Sequence, residues 1–460
     1  MIDPEVIERT LAVALRNGGE FAEVFAEDRR SQSASLDDGK VEDLTTGRRR
    51  GAGIRVVVGE TTGFAHTADL SEAGLREAAE AAAAAAQGNA QHAAIALTRT
   101  PVDIAEVRVP PATVDKARKV ELLRIADDAA RAEGDAIRQV SASYAEGTRR
   151  ILVANSDGLL AEDERTRTRF VVQCVAVGDT GIQTAFEGPG RTVGFELFDT
   201  IDPADIAQIA ARRALTMLRA RPAPSGPMPV VLKRGAGGVM FHEACGHGLE
   251  ADLVRKDASV FAGRIGEQVA SPLVTVIDDG TMTHEWGTAS IDDEGAPTRR
   301  NVLIENGVLT DYMWDYVRAR KDGRASSGNG RRETYQDLPM VRMTNTYLTA
   351  GSEDPEAIIS GTDRGIYCVQ LGGGQVNTAT GDFVFGITEA YLIEGGRVTE
   401  PIRSANLVGN GPAALLAVDA VGNDFETWTG TCGKDGQGVP VSSGQPTLRV
   451  AELTIGGTAA

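Results

Sequence analysis

Apolar residues recur at helical spacing near the start of the chain, at Val6, Ile7, Leu11, Ala14 and Leu15, and Asn-Gly-Gly ends the run, which predicts an amphipathic helix over residues 3–17. From residue 21 to 69 the pattern becomes strand-like, with turn signals at "DDGK" and "VGET" and a β-branched run in "GIRVVVG", as a meander requires. A second helix is expected from a Ser71 cap to a Gly88 stop through an alanine run of high helix propensity. Helical spacing returns over residues 114–134 and in "DPADIAQIAARRALTMLRA", with alternating segments such as "IRQVSASY", "RRILVANS" and "RFVVQCVAV" between them. "TTGFAHTADLSEAGLREAAEAA" and "TVGFELFDTIDPADIAQIAARRAL" share a strand end, a connector and a helix in that order, an echo compatible with duplication and with chance alike.

The stretch "RARPAPSGPMP", residues 219–229, holds four prolines, which stiffen a connector and remove backbone donors, so a domain boundary is expected there. Beyond it the chain reads as short strands between Gly, Asn and Asp turns: "LVTVIDDG", "NVLIENGVLTDYM", "GIYCVQLGGG", "DFVFGITEAYLIEGGRV" and "TLRVAELTIGG". The fold class expected is α+β. Residues 1–222 would form an N-terminal domain of helices on an antiparallel sheet. Residues 223–460 would form a β-rich, barrel-like domain that carries a short metal-binding helix.

Composition narrows the function. A length of 460 residues suits two domains, and 53 glycines with only 5% aromatics favour many turns and strands. A formal net charge of −18 repels phosphate backbones and anionic lipid, so neither nucleic acid nor membrane is an expected partner. The first twenty residues lack the pattern of a secretory signal, and no segment has the roughly twenty apolar residues of a membrane span, which places the expected protein in the cytoplasm. Cys174, Cys245, Cys368 and Cys432 are too few and too scattered for a disulfide framework, and read as buried thiols or ligands.

The candidate chemistry lies in "FHEACGHGLEADLV", where His242 and His247 stand five apart with Glu243 directly after the first. Residues five apart on an ideal α-helix are rotated by about 140°, so the rings would diverge. They converge if the helix contains a π-turn with one extra residue, and Gly246, with Gly248 after it, offers the place for that distortion. Neutral imidazoles suit zinc, and a carboxylate beside the first ligand suits the base that takes a proton from water on the metal. Spacing alone leaves a metal site and a polar surface pair both open. A third ligand is required, and His66, His92, His284, Glu250, Asp252 and Cys432 are the candidates; Glu250 and Asp252 are expected as solvent-facing helix charges.

These residues, with "IDDEGAPTRRNVLIENGVLTDYM", "SSGNGRRETYQDLPMVRMTNTYL", "LGGGQVNTATGDFVFGITEAYLIEGG" and "TCGKDGQ", closely resemble the TldD/PmbA family of modulators of DNA gyrase, and in particular its TldD branch. The resemblance is clear over residues 230–455 and looser over the N-terminal half. It implies a zinc-dependent metallopeptidase acting on linear, unfolded peptides, with Zn2+ held by His242, His247 and Cys432 and with Glu243 as the catalytic glutamate. It also implies a dimer, either a heterodimer with a related subunit that lacks the metal motif or a homodimer, enclosing the site in a chamber. The gyrase name then reflects an indirect connection through peptides, without DNA contact. Tyr335, Arg331, Arg332 and His284 are candidate oxyanion donors, and "GNGRRETY" and "LGGGQVNTATGDF" are candidate binders of peptide backbone. "LGGGQ" lacks the Gly-Lys-Ser/Thr ending of a phosphate loop, so no nucleotide is expected there. Two rival readings remain: a non-catalytic peptide-binding subunit with a vestigial metal motif, and a zinc hydrolase of small amides.

Overall fold

The computed structural model describes residues 1–92, 94–235 and 238–457. Four long strands, Phe21–Asp37, Lys40–Val58, Ile137–Asn155 and Leu159–Gly178, form the centre of an antiparallel sheet. Asp38 and Gly39, with φ of 47° and 77°, make the tight turn between the first two, the left-handed pair that a two-residue hairpin needs to match strand twist. Helices Pro4–Leu15 and Glu72–Ala85 pack with one end of these strands around Ile7, Leu11, Val24, Ile54 and Leu75. Helices Lys116–Arg131 and Pro203–Arg219 pack with the other end around Leu122, Leu123, Tyr144, Phe170 and Ala210.

Each half of this unit places three longer strands between two helices, but the sequence echo is not in register with that repeat: "TTGFAHT" is the strand Thr61–Thr67, whereas "TVGFELFDT" holds the 3-10 turn Phe195–Asp199. Antiparallel pairing of Phe21–Asp37 with Ile137–Asn155 places both repeats in one sheet. The expected Ser71 cap forms, and Asp3 and Asp202 likewise accept hydrogen bonds from the first turns of their helices. Gly88 is not the stop that the sequence led us to expect, because the helix ends at Ala85. Gly88 instead packs against the backbone of Gly18, whose carbonyl oxygen would lie 2.3 Å from a Cβ.

From Gly226 onward, inside the proline-rich stretch, five strands close into a barrel. Gly226–Leu232 pairs with Arg364–Val376 and Leu448–Gly457; the ring continues through Ala405–Asn410 and Asp382–Glu394 back to Arg364–Val376. Beside it lies a six-stranded sheet in the order Val308–Leu309, Arg300–Glu305, Val276–Asp279, Asn345–Leu348, Gln437–Gln445, Glu426–Lys434. The fold is therefore α+β with a barrel in its β-rich C-terminal region. The largest apolar core runs through barrel and sheet and takes in Met240, Phe241, Ala244 and Leu249 of the short helical segment between them.

The motifs "IDDEG" and "GNGRRETY" dock on the middle of the long sheet through buried ion pairs. Arg55 binds Glu23 at 2.8 Å and Glu294 at 2.6 Å, Arg332 also binds Glu23, and Arg165 reaches Asp293 at 2.9 Å. Gly330 is a glycine because a Cβ there would meet a Glu294 carboxylate oxygen at 1.9 Å. The "GNGRRETY" segment is thus a joint between the two halves of the chain, and the expectation that it binds peptide backbone is corrected. Among the described residues, no helix is long and apolar enough to cross a membrane.

Candidate metal centre

The histidines sit on a helical segment that changes pitch. An α-turn, Gly238–Phe241, passes into a π-turn, His242–Gly246, then into a 3-10 turn, His247–Leu249, and a last α-turn, Ala251–Val254. The extra residue in the π-turn brings positions 242 and 247 to one side, with ring centroids 5.1 Å apart. Gly246 serves this turn by close packing rather than by flexibility. Its backbone is ordinarily helical, with φ of −53°, but a Cβ would lie 2.2 Å from Met343 Sδ. Gly248 is likewise fixed by Phe261, whose Cδ2 would lie 2.8 Å from a Cβ.

Cys432 comes from the last strand of the six-stranded sheet, in a hairpin closed by Asp435 and Gly436 with φ of 50° and 78°. The fully buried Arg342 clamps this hairpin, donating to the carbonyls of Cys432 at 2.5 Å and Gln437 at 3.2 Å. Donor atoms of His242, His247 and Cys432 all lie within 4.8 Å of one another. Cys432 Sγ is 3.3 Å from His247 Nε2. Tetrahedral zinc, with its usual bond lengths to sulfur and nitrogen, would separate two such ligands by about 3.6 Å. The donor set therefore fits a divalent ion of zinc type.

Electrostatics points the same way. Cys174, Cys245 and Cys368 are pushed up to about 12 by burial, which disfavours their thiolates. Burial acts upward on Cys432 too, yet His242 and His247 outweigh it and hold the thiol well below its ordinary value. Burial disfavours the imidazolium of His247, but Glu250 and Cys432 prevail and raise it well above its ordinary value. The two directions together favour a thiolate beside an imidazolium, an arrangement in which a metal ion would take the place of the proton.

Glu250 and Asp252 are not the solvent-facing charges expected. Glu250 is 0% exposed; its carboxylate accepts from His247 Nδ1 at 3.1 Å and from Lys434 Nζ at 2.7 Å. Asp252 accepts from the same ammonium at 2.8 Å. The bond to Nδ1 leaves Nε2 free to face the thiol, a carboxylate–histidine pair of the kind that orients metal ligands. Burial raises the Glu250 carboxyl, but His247 and Lys434 win and hold it at about 2.

The other candidates lie elsewhere. His66 meets Tyr335 edge-on, His92 bonds the carbonyl of Gly19, and His284 is exposed beside Thr192. Tyr335 is buried near Gly51 and Gly53; Arg331 donates to the carbonyls of Met343 and Pro440; Arg332 is held by Glu23 and the Asp293 carbonyl. None of these four oxyanion candidates lines the cleft that opens on the histidines.

That cleft, of about 680 Å³, is lined by His242, Glu243 and His247 on its floor, by Gly372–Gly374 and Gln375 on one side, and by Gly430, Thr431 and Gly433 on another. The Glu243 carboxylate, 20% exposed, reaches 4.0 Å from His247 Nε2. Among the described residues, the strand Glu426–Lys434 ends its sheet with one edge lacking a partner strand. The strand Arg364–Val376 loses its pairing to Gly226–Leu232 after Cys368, so its glycine run has one unpaired edge as well. Among the described residues, nothing lies within 4 Å of a Cβ built on Gly373 or Gly433, which leaves backbone open to a ligand.

Sequence comparison decides the family. Models of PmbA/TldA metallopeptidase domain 1, central domain and C-terminal domain match residues 22–86, 109–218 and 225–457. This chain belongs to the PmbA/TldD metallopeptidase family. A metalloprotease TldD homolog from Haemophilus influenzae is 40% identical, over 95% of this chain and 93% of its own length. A metalloprotease from Methanothermobacter thermautotrophicus is 36% identical, over 95% and 96%. A zinc metalloprotease TldD homolog from Saccharolobus solfataricus is 29% identical, over 66% and 68%. Among solved structures, a Thermotoga maritima protein described as a modulator of a DNA gyrase aligns with TM-score 0.81 at 22% identity, over 98% of this chain and 99% of its own. TldE from Thermococcus kodakarensis aligns with TM-score 0.77 at 22% identity, over 98% and 100%. At that identity the two structures speak for the PmbA/TldD fold alone.

Proposed function

We propose that the chain is a cytoplasmic zinc-dependent metallopeptidase that hydrolyses linear, unfolded peptides, with His242, His247 and Cys432 holding the ion and Glu243 moving protons. The observation that carries this reading is the convergence of two imidazoles and a cysteine sulfur at the floor of a cleft, beside a carboxylate that, among the described residues, lies no closer to a cationic group than the 4.0 Å to His247. The relatives named metalloprotease and zinc metalloprotease support the reaction class and the metal. When bound, the ion would polarise the scissile carbonyl and make water a better nucleophile.

The protein's own groups do the rest. Glu243 takes a proton from water in the cleft and returns it to the leaving amine. Cys432 is held in place by Arg342 and stays a thiolate, while Glu250 fixes the tautomer of His247 so that Nε2 carries the lone pair. Gly372–Gly374 and Gly430–Gly433 can pair with the main chain of an extended peptide from either side, a recognition mode that ignores side-chain identity and selects against folded segments. Val239, Leu253, Val376 and Val441 supply an apolar lining for its side chains. Gln375, Thr378, Ser443 and the backbone amides of the glycine runs replace the earlier candidates for the oxyanion donor. The same reading pairs the chain with a TldE-like subunit or a second copy of itself over this cleft; the mass of the assembly in solution distinguishes the two.

The test is hydrolysis of an unstructured peptide by zinc-loaded protein. Glu243→Gln is expected to lower turnover by roughly 10²–10⁴-fold while one zinc per chain is retained. Unchanged turnover in this variant refutes the role of Glu243. Zinc without any peptide cleavage favours the binding subunit, and turnover of short amides regardless of peptide length favours the amide hydrolase.

A further inference from the structure

Behind the hairpin that carries Cys432, between it and the middle of the long sheet, lies a second cavity of about 340 Å³. Its lining is strongly basic in a chain whose net charge is −18. Some of its arginines are neutralised by buried carboxylates: Arg149 binds Glu27 at 2.6 Å, Arg165 binds Asp163 at 2.7 Å and Asp293 at 2.9 Å, and Arg332 binds Glu23.

Four others are not. Among the described residues, Arg29, Arg167, Arg169 and Arg331 have no carboxylate within ion-pair distance. Arg167 donates only to the carbonyls of Trp286 at 2.8 Å and Thr288 at 2.9 Å, and Arg331 only to those of Met343 at 2.5 Å and Pro440 at 2.7 Å. Arg29 stands exposed, as at a rim. Of the two carboxylates on the lining, Glu146 is taken by Lys119 at 2.7 Å, which leaves Glu333 alone against four guanidiniums.

Hydrogen bonding shows the same deficit. Among the described residues, Arg169 Nε, Arg332 Nε and Nη1, and Trp286 Nε1 are buried without a partner; all belong to residues that line the cavity, and all are donors. Arg332 is itself 0% exposed. What the cavity lacks is an acceptor with negative charge, since buried donors and unpaired cations are both costly. Burial first, and neighbouring arginines next, push Arg167 well below its usual range; burial and Arg342 bring Arg331 down to about 10, the direction a bound anion would reverse.

We infer that this cavity is a binding site for a multiply charged oxyanion of the phosphate class, gripped by Arg167, Arg169 and Arg331 with the Trp286 indole N–H as a further donor. A single carboxylate would leave most of the positive charge uncompensated, whereas a phosphate group offers two charges and oxygens enough for forked guanidinium contacts. The volume suits inorganic phosphate or the phosphoryl end of a small ligand. Thr431 lines both this cavity and the metal cleft, and Arg331 holds the carbonyls of Pro440, opposite Thr431 in the hairpin, and of Met343, which packs on Gly246. The occupant would therefore bear on both segments that bring the metal donors together.

The test is calorimetric titration of the full chain, as purified, with sodium phosphate and with a phosphate monoester, against sodium chloride and acetate at matched ionic strength. Saturable phosphate binding, absent with chloride and acetate, is expected, weakened at least tenfold in Arg169→Gln and several-fold in the rim variant Arg29→Gln. His247→Ala, which would abolish phosphate binding to a metal ion, should leave it intact. Tighter binding of the monoester than of phosphate identifies a ligand's phosphoryl group as the occupant, and the reverse identifies the free ion. Phosphate binding no tighter than chloride, acetate binding as tight as phosphate, loss in His247→Ala, or unchanged affinity in both arginine variants would overturn the site.

Discussion

Glu250 is three residues past His247 and, through one hydrogen bond at 3.1 Å, determines which imidazole nitrogen faces the thiol. Glu250→Gln is expected to weaken zinc binding roughly 10–100-fold, the usual loss when an outer-shell partner is removed. Competition with a chromophoric chelator measures it; equal affinity in variant and parent would mean that the carboxylate does not orient the ring. Part of this was readable in advance. Cys432 and Lys434 are two apart on a strand and so share a face, which places an ammonium beside the thiol and calls for buried acids nearby. What hid Glu250 is its backbone: with ψ of 122° it leaves the helix, so helical spacing misplaces its side chain.

At the scale of the element, the five-residue histidine spacing brings the two rings together only if one turn gains a residue, and the π-turn His242–Gly246 supplies it. The identity of Gly246 has a different cause, the Met343 side chain arriving from a distant loop. Gly246→Ala is therefore expected to destabilise the fold by about 1–3 kcal/mol through overpacking. Met343→Ala alone should cost about 2–5 kcal/mol for the cavity it leaves. Because each change compensates the other, the double variant should be less destabilised than the sum of the two, by urea unfolding; simple additivity would show that the two residues do not clash. Glycine in a sequence signals freedom or close approach without saying which. Here it was close approach, and the partner is about a hundred residues away.

At the scale of the whole molecule, the two halves are joined by buried charges, and this makes stability depend on pH. Burial raises Glu294 to about 7 from an ordinary 4.5, with Arg55 opposing and Asp315 and Glu23 adding to the rise. The folded state thus keeps this proton to higher pH than the unfolded chain does. The contribution is favourable below pH 4.5 and is lost as pH rises toward 7, by at most about 3 kcal/mol. Glu294→Gln cannot ionise, so the difference in unfolding free energy between parent and variant should shift with pH across that window in favour of the variant. A constant difference from pH 4.5 to 7 would refute the assignment.

What the sequence by itself determined is local: the helix of residues 4–15, the Ser71 cap, the Asp-Gly turn at residues 38–39, the condition that the two histidines meet only through a distorted turn, and the strand-rich character after the prolines. Each depends on residues a few positions apart, where propensity and spacing act directly. Tertiary structure decided the rest. It closed five strands into a barrel, buried Glu250, made a joint of "GNGRRETY", gathered unpaired arginines around one cavity, and brought Cys432 within 3.3 Å of a histidine 185 residues earlier. Such outcomes depend on which strands pair and which charges lose their water, and no local window contains that information.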